Sequence, residues 1–153
     1  MSALCSDNEA WSFAHTLLAR EVPEVAAGVV ELRAVARIPG YRTKIAVVSI
    51  DPAIDPIRAC VGDEESRIRQ VIERLRGEAI DLLLWTNFPQ RLIEDALTPA
   101  CVGQVALDHG QQVARVTVAH DQLEAALGPS GQNRALASRL SGWEIQLVPS
   151  DAA

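Results

Sequence analysis

Apolar positions along this chain recur with two different spacings, and the switches between them mark its elements. Trp11, His15 and Leu18, with Phe13 and Leu17 beside them, have helical spacing up to Arg20. Pro23 ends that helix, because the residue before a proline is driven out of the helical region. From Val29 to Arg37 the period becomes two: Val30, Leu32, Ala34 and Ala36 alternate with Glu31, Arg33, Val35 and Arg37. Ile38-Pro39-Gly40-Tyr41 has turn composition, and Lys44 to Ser49 is a second strand rich in β-branched residues, so the pair predicts a hairpin. Asp55-Pro56 opens a short helix with Asp as N-cap and Pro at the first helical position. Ile68, Val71, Ile72 and Leu75 then line one buried helical face, closed by Gly77. Ile80 to Trp85 is a continuous apolar run that predicts a buried strand. A helix from Pro89 to Leu97 ends at Thr98-Pro99, which is the expected domain junction.

The second half repeats this grammar. Val102 to Leu107 and Val113 to Val118 predict a hairpin around Asp108-His109-Gly110, and Asp121 is expected to cap a helix with Glu124 as its capping-box partner. A helix from Gln132 to Leu140 and a strand from Trp143 to Val148 complete the unit. Gly62 aligns with Gly128; after a single-residue deletion, Leu75, Gly77 and Ile80 align with Leu140, Gly142 and Ile145. A supersecondary unit repeated with its stop signals in register predicts an α+β tandem of two small domains. Each reads strand, strand, helix, two-glycine loop, helix, strand. The expected divisions are 1–24 as an N-terminal helical segment, 25–98 as the first domain and 99–150 as the second.

Composition narrows the chemistry. A hydrophobic content of 48% with 22% charged residues is that of a soluble globular protein. No apolar run is long enough to span a membrane, and Met1 to Glu9 lack the basic start and apolar centre of a signal peptide, so a cytoplasmic location is expected. Cys5, Cys60 and Cys101 form no C-x-x-C pair, which argues against a disulfide framework or zinc site; Cys60 and Cys101 are assigned to the core. Trp85 and Trp143 are likewise assigned to the core rather than to base stacking. No nucleophile–base pair, paired acids or metal spacing emerges, so neither enzyme, cofactor nor metal is expected. The net charge is −6 and neither half is basic, which excludes broad electrostatic binding of duplex DNA.

A G-x-x-G between two helices has a specific use. Its glycines reach backbone angles that other residues avoid, and they let a phosphodiester approach the N-terminus of the next helix, where free N–H groups and the dipole favour negative charge. Within this element order the motif resembles the KH module, which clamps about four nucleotides of single-stranded nucleic acid. Glu21-Val22-Pro23-Glu24-Val25, Arg42-Thr43-Lys44-Ile45-Ala46-Val47, Asp55-Pro56, Ala59-Cys60-Val61-Gly62 and Gly77-Glu78-Ala79-Ile80-Asp81 are similar to the first KH domain of the bacterial NusA family. Ala96-Leu97-Thr98-Pro99-Ala100, Asp121-Gln122-Leu123, and Gly131-Gln132-Asn133 running to Gly142-Trp143 are similar to its second. The resemblance implies two tandem type II (prokaryotic) KH domains, each a three-stranded sheet packed with helices. It further implies binding to single-stranded RNA, and a role with the transcription machinery in elongation, termination or antitermination. The family's polymerase-contacting N-terminal domain and its S1 domain have no counterpart here, so the chain reads as a stand-alone short relative or a cut-out.

The departures from the family point to weak binding. The first loop is Gly62-Asp63-Glu64-Glu65: its second glycine is gone and three carboxylates stand where a phosphate would arrive. The second loop keeps Gly128 and Gly131, but Pro129 lacks an N–H donor and Ser130 stands where the family usually has lysine. Candidate RNA contacts are Gly128, Pro129, Ser130, Gly131, Gln132, Asn133 and Arg134 in the second unit, with Arg37, Arg42, Lys44, Arg67 and Arg69 in the first. The arginines could equally form a solvated face paired with Glu31, Glu73 and the acidic loop, and the second loop could be a tight turn kept for packing. The alternative function is a degenerate KH scaffold that has lost RNA and binds a protein.

Overall fold

The computed structural model describes residues 4–151; residues 1–3 of the expected N-terminal segment lie outside it. The chain divides into two compact units, Met1–Trp85 and Thr86–Ala153.

In the first unit, helix α1 (Asp7–Glu21) starts at Ser6, whose hydroxyl accepts the Glu9 N–H. Its buried stripe is Ala10, Ala14 and Leu18, one position off the Trp11–His15 spacing. Trp11 is 41% exposed; its indole N–H donates to the Leu32 carbonyl at 2.8 Å and its ring stacks on His15. Small residues form the contact because they let the helix lie close to strand β1, and Trp11 reaches over the strand from the flank. After Pro23 a short turn of helix, α2 (Pro23–Ala26), leads into the sheet.

Strands β1 (Val30–Ile38), β2 (Arg42–Ser49) and β3 (Ala79–Leu84) pair in the order β1-β2-β3, with β1 antiparallel and β3 parallel to β2. The expected alternation along β1 fails halfway. The register shifts between Leu32 and Ala34, so Val35, read as outward-facing, is buried and Ala34 is only half-buried. One extra residue in a strand reverses the facing of every side chain after it. Trp11 donates to the Leu32 carbonyl next to this bulge, on the edge strand of the sheet.

Asp55 caps α3 (Pro56–Val61) as expected, accepting the N–H groups of Ile57 and Arg58. Helix α4 (Ser66–Glu73) buries Ile68 and Val71, but Ile72 is 40% exposed and the helix stops at Arg74, before Gly77. Burial pushes the Cys60 thiol up to about 11, with Glu24 adding to the shift, which makes it an inert core residue.

The second unit repeats the architecture. Helix α5 (Pro89–Ala96) precedes β4 (Val105–Asp108) and β5 (Val113–Val118); α6 (Leu123–Leu127) and α7 (Gln132–Ser141) flank the loop, and β6 (Glu144–Pro149) closes a sheet of order β4-β5-β6 with the same antiparallel and parallel pairings. Three expectations change here. Helix α5 packs on α7 and β4, so it belongs to this unit, and the division falls at Trp85 rather than at Pro99. Asp121 lies in a 3-10 turn, and α6 starts at Gln122 without a side-chain cap; the Gln122 amide oxygen instead accepts the Cys101 N–H at 2.9 Å. Cys101 is exposed, not core. Trp143 is buried as expected, edge-on to His109, whereas Trp85 is half-buried. No described helix is long and apolar enough to cross a membrane.

Candidate nucleic-acid interface

The two loops share one backbone. Gly62 has φ 78° and ψ 170°, and Gly128 has φ 71° and ψ 176°. The third residue is left-handed in both, Glu64 at φ 54° and Ser130 at φ 53°. The N–H of Gly62 donates to Arg58 O and that of Gly128 to Glu124 O, each at 2.9 Å. At Gly62 the glycine is obligatory: an added Cβ would stand 2.7 Å from Arg67 Cγ and 2.9 Å from the Arg67 nitrogen. The first loop has therefore kept the shape of the motif although its sequence has lost it.

Each loop is braced by a side chain from the helix that follows. Arg67 Nη1 donates to Ala59 O at 2.7 Å and pairs with Glu24 at 2.9 Å. The amide of Asn133 donates to Ala125 O, Ala126 O and Leu97 O at 3.1 to 3.3 Å. Asn133 is fully buried, so its assignment as an RNA contact gives way to a structural role beneath the loop.

The other sequence-derived candidates divide by accessibility. Pro129 and Ser130 are exposed, and Gly128, Gly131 and Gln132 are half-buried around them. Arg134 is tied to strand β6 through Ile145 O at 3.1 Å. In the first unit, Lys44 has no exposed surface and binds Asp81 at 2.6 Å, which also holds Arg42 at 2.6 Å. Burial lowers the Lys44 pKa, with Asp81 opposing that shift. Arg37 binds both oxygens of Glu78 and lies 3.3 Å over the Phe13 ring. Burial would raise the Glu78 pKa, yet bonds from Arg37, Thr43 and the Gly40 N–H hold it below the usual carboxylate range. Arg37 on β1 and Arg42 and Lys44 on β2 thus serve internal ion pairs with Glu78 and Asp81 at the start of β3. Sequence pattern did not couple them to Glu78 and Asp81, because the parallel pairing that aligns Lys44 with Asp81 is a tertiary contact. Arg69 is exposed and 3.5 Å from Glu65.

A cleft of about 360 Å³ lies beside the first loop, lined by Ile54, Asp55, Arg58, Ala59, Gly62 and Ser66 together with Glu24, Asp63 and Arg67. Asp63, Glu64 and Glu65 are exposed at the loop itself. The second loop carries no charged side chain. Among the described residues no group of acids, histidines and cysteines could hold a metal ion.

The same two units recur in known proteins. Residues 8–85 match the model of the NusA-like first KH domain and residues 89–153 that of the NusA-like second KH domain. Transcription termination/antitermination protein NusA of Thermus thermophilus is 48% identical over 135 residues, covering 88% of this chain and 35% of that protein. The protein of the same name from Bacillus subtilis is 40% identical over 127 residues, covering 83% of this chain and 34% of the relative. The chain thus spans about a third of the length of these relatives. A solved structure, that of APE1850, superimposes with a TM-score of 0.51 at 18% identity, over 94% of this chain and 97% of that one, and supports the fold. With a helix, a mixed three-stranded sheet and a helix–loop–helix in each half, and with both halves matched in order, the chain belongs to the NusA-like family of tandem KH domains.

Proposed function

We propose that this chain binds single-stranded RNA weakly, chiefly through the Gly128–Gly131 loop, as part of a factor acting in transcription termination or antitermination. The observation that carries this reading is the second loop: exposed, uncharged and opening directly onto the N-terminus of α7. Backbone N–H groups there face an incoming phosphate, with the helix dipole behind them. Pro129 removes one of those donors, which limits the strength of the clamp. The names of the relatives supply the transcriptional context.

The first loop works against the same ligand. A phosphate about 5 Å from one of its carboxylates meets a repulsion of roughly 3 kcal/mol at an effective dielectric near 20, before salt screening. Asp63, Glu64 and Glu65 together outweigh what the loop amides could return. That acidic face, with the net charge of −6, also favours a second reading, in which the scaffold serves a protein partner.

The test is a titration of the chain with a pool of single-stranded RNA at low and moderate salt. Binding with a shallow salt slope, lost in Gly128→Asp and strengthened in Asp63→Lys/Glu65→Gly, is the expected result. Absence of any RNA-dependent shift at low salt overturns the reading, and recovery of a stoichiometric protein free of RNA supports the second one.

A further inference from the structure

The two sheets differ at the outer edge of their third strand. In the first unit the Ala79 N–H donates to Tyr41 O at 3.0 Å and the Trp85 N–H to Val47 O at 2.8 Å. Backbone groups alternate along a strand, so residues 79, 81, 83 and 85 turn theirs to β2, while Ile80, Leu82 and Leu84 turn theirs outward. Among the described residues none of those outward groups has a hydrogen-bond partner. In the second unit the Glu144 N–H donates to Gln112 O and the Ser150 N–H to Val118 O, which turns Ile145, Leu147 and Pro149 outward. That edge is blocked. The Ser138 hydroxyl accepts the Ile145 N–H at 3.2 Å, Arg134 donates to Ile145 O at 3.1 Å, and Pro149 has no N–H to offer. The alignment of Leu75 with Leu140 puts Glu73 and Arg69 in the places of Ser138 and Arg134. Glu73 is exposed and Arg69 lies beside Glu65, so neither closes β3.

This open edge is apolar and complementary to itself. Its one charge, Asp81, is already bound to Arg42 and Lys44. Ile80 and Leu82 lie against the core of the unit, and Leu84, on the same face of the strand, is 49% exposed. Laid antiparallel on a second copy about Leu82, the edge sets Leu82 opposite Leu82 and Ile80 opposite Leu84, each pair exchanging both N–H···O bonds. Asp81 then falls opposite Leu83 and not opposite another Asp81, so no like charges meet.

We propose that the β3 edge is a self-association surface, at which two copies of this chain pair their β3 strands antiparallel about Leu82 in a two-fold arrangement. The outward N–H and C=O groups gain partners, and the exposed Leu84 is covered by Ile80 of the second copy. The proposal stands apart from the RNA-binding reading and does not depend on it. A contact made by one short strand is smaller than the roughly 1,200 Å² of a stable complex, so the dimer is weak and forms as concentration rises.

The experiment is sedimentation velocity of the full chain from micromolar to millimolar concentration, without RNA. The weight-average mass of wild type is expected to rise from that of one chain toward that of two. Leu84→Lys places a charge on the edge and Leu84→Pro removes one outward N–H without touching the β2 ladder, so both should stay at the mass of one chain. Val148→Lys, at a comparably exposed apolar residue of β6, should behave as wild type. Amide exchange supplies the register: the N–H groups of Ile80, Leu82 and Leu84 should slow about fivefold between dilute and concentrated protein, and that of Leu147 should not. Wild type that stays monomeric at every concentration overturns the proposal, as does a dimer that survives both Leu84 variants or protects other amides. A monomer whose β3 amides slow only when single-stranded RNA is added assigns the edge to that ligand and also overturns it.

Discussion

Glu65 holds in the first loop the left-handed backbone position that Gly131 holds in the second: φ 62° and ψ 21° against φ 75° and ψ 14°. A residue with a Cβ is strained there, by about 1 kcal/mol or more, while glycine is not. The loop has kept its shape because the helices on either side fix its two ends, and the chain between has one way to turn. Glu65→Gly is therefore expected to stabilise the protein by about 1 kcal/mol, a rise in melting temperature of about 2–4 °C for a chain of this length. Gly131→Ala, with open space around the new methyl, should lose a similar amount. A thermal melt in which Glu65→Gly leaves the midpoint unmoved would contradict the assigned torsions.

Gly62→Ala should cost more than Gly131→Ala. Its Cβ would collide with the Arg67 backbone nitrogen as well as with movable side-chain atoms, so the start of α4 must shift. Urea midpoints of the two variants, measured side by side, should fall in that order.

Asn133 and Arg67 do the same work in the two units, each donating to the carbonyl of the equivalent alanine, Ala125 or Ala59. Asn133 is the more deeply placed. Asn133→Ala removes the side-chain donor to the Ala125 and Ala126 carbonyls of α6 and leaves Leu97 O with only the Ala100 N–H, and is expected to destabilise the protein by about 2 kcal/mol. Unfolding in urea gives the number, and a loss below about 0.5 kcal/mol would show those bonds to be replaced by others.

Glu78 gives the first unit an acid dependence. Its folded pKa is depressed, so its contribution is present above the unfolded value of about 4.3 and is lost as pH falls through the folded one. Stability measured by urea midpoint should fall as the pH is lowered through the carboxylate range. Glu78→Gln should be less stable at pH 7, by about 3 kcal/mol if Arg37 is left without a counter-charge, and should show a flatter acid limb. An unchanged acid limb in that variant would move the titrating group elsewhere.

Much of the fold was legible in the chain because its signals are local. Asp55-Pro56, Gly142 and the apolar spacing around Val71 act within one or two turns, and each marks an element that forms where expected. The misreadings share one cause. Trp11, Val35 and Asp121 were judged by type and spacing, while their positions follow from a bulge in β1, the close approach of α1, and a 3-10 turn. The candidate site shows the same limit: Arg37, Arg42 and Lys44 look like a basic patch until β3 brings Glu78 and Asp81 alongside.

The sequence alone determined the duplication, the element order, the family and the charge of each loop, since all of these are carried by residue type and spacing along the chain. Only the tertiary structure decided which cations are spent internally, and that Asn133, expected to contact RNA, is buried beneath the loop and braces it. Charges find their partners across strands and helices distant in sequence, and a glutamate enters a left-handed turn when the surrounding helices leave no other path.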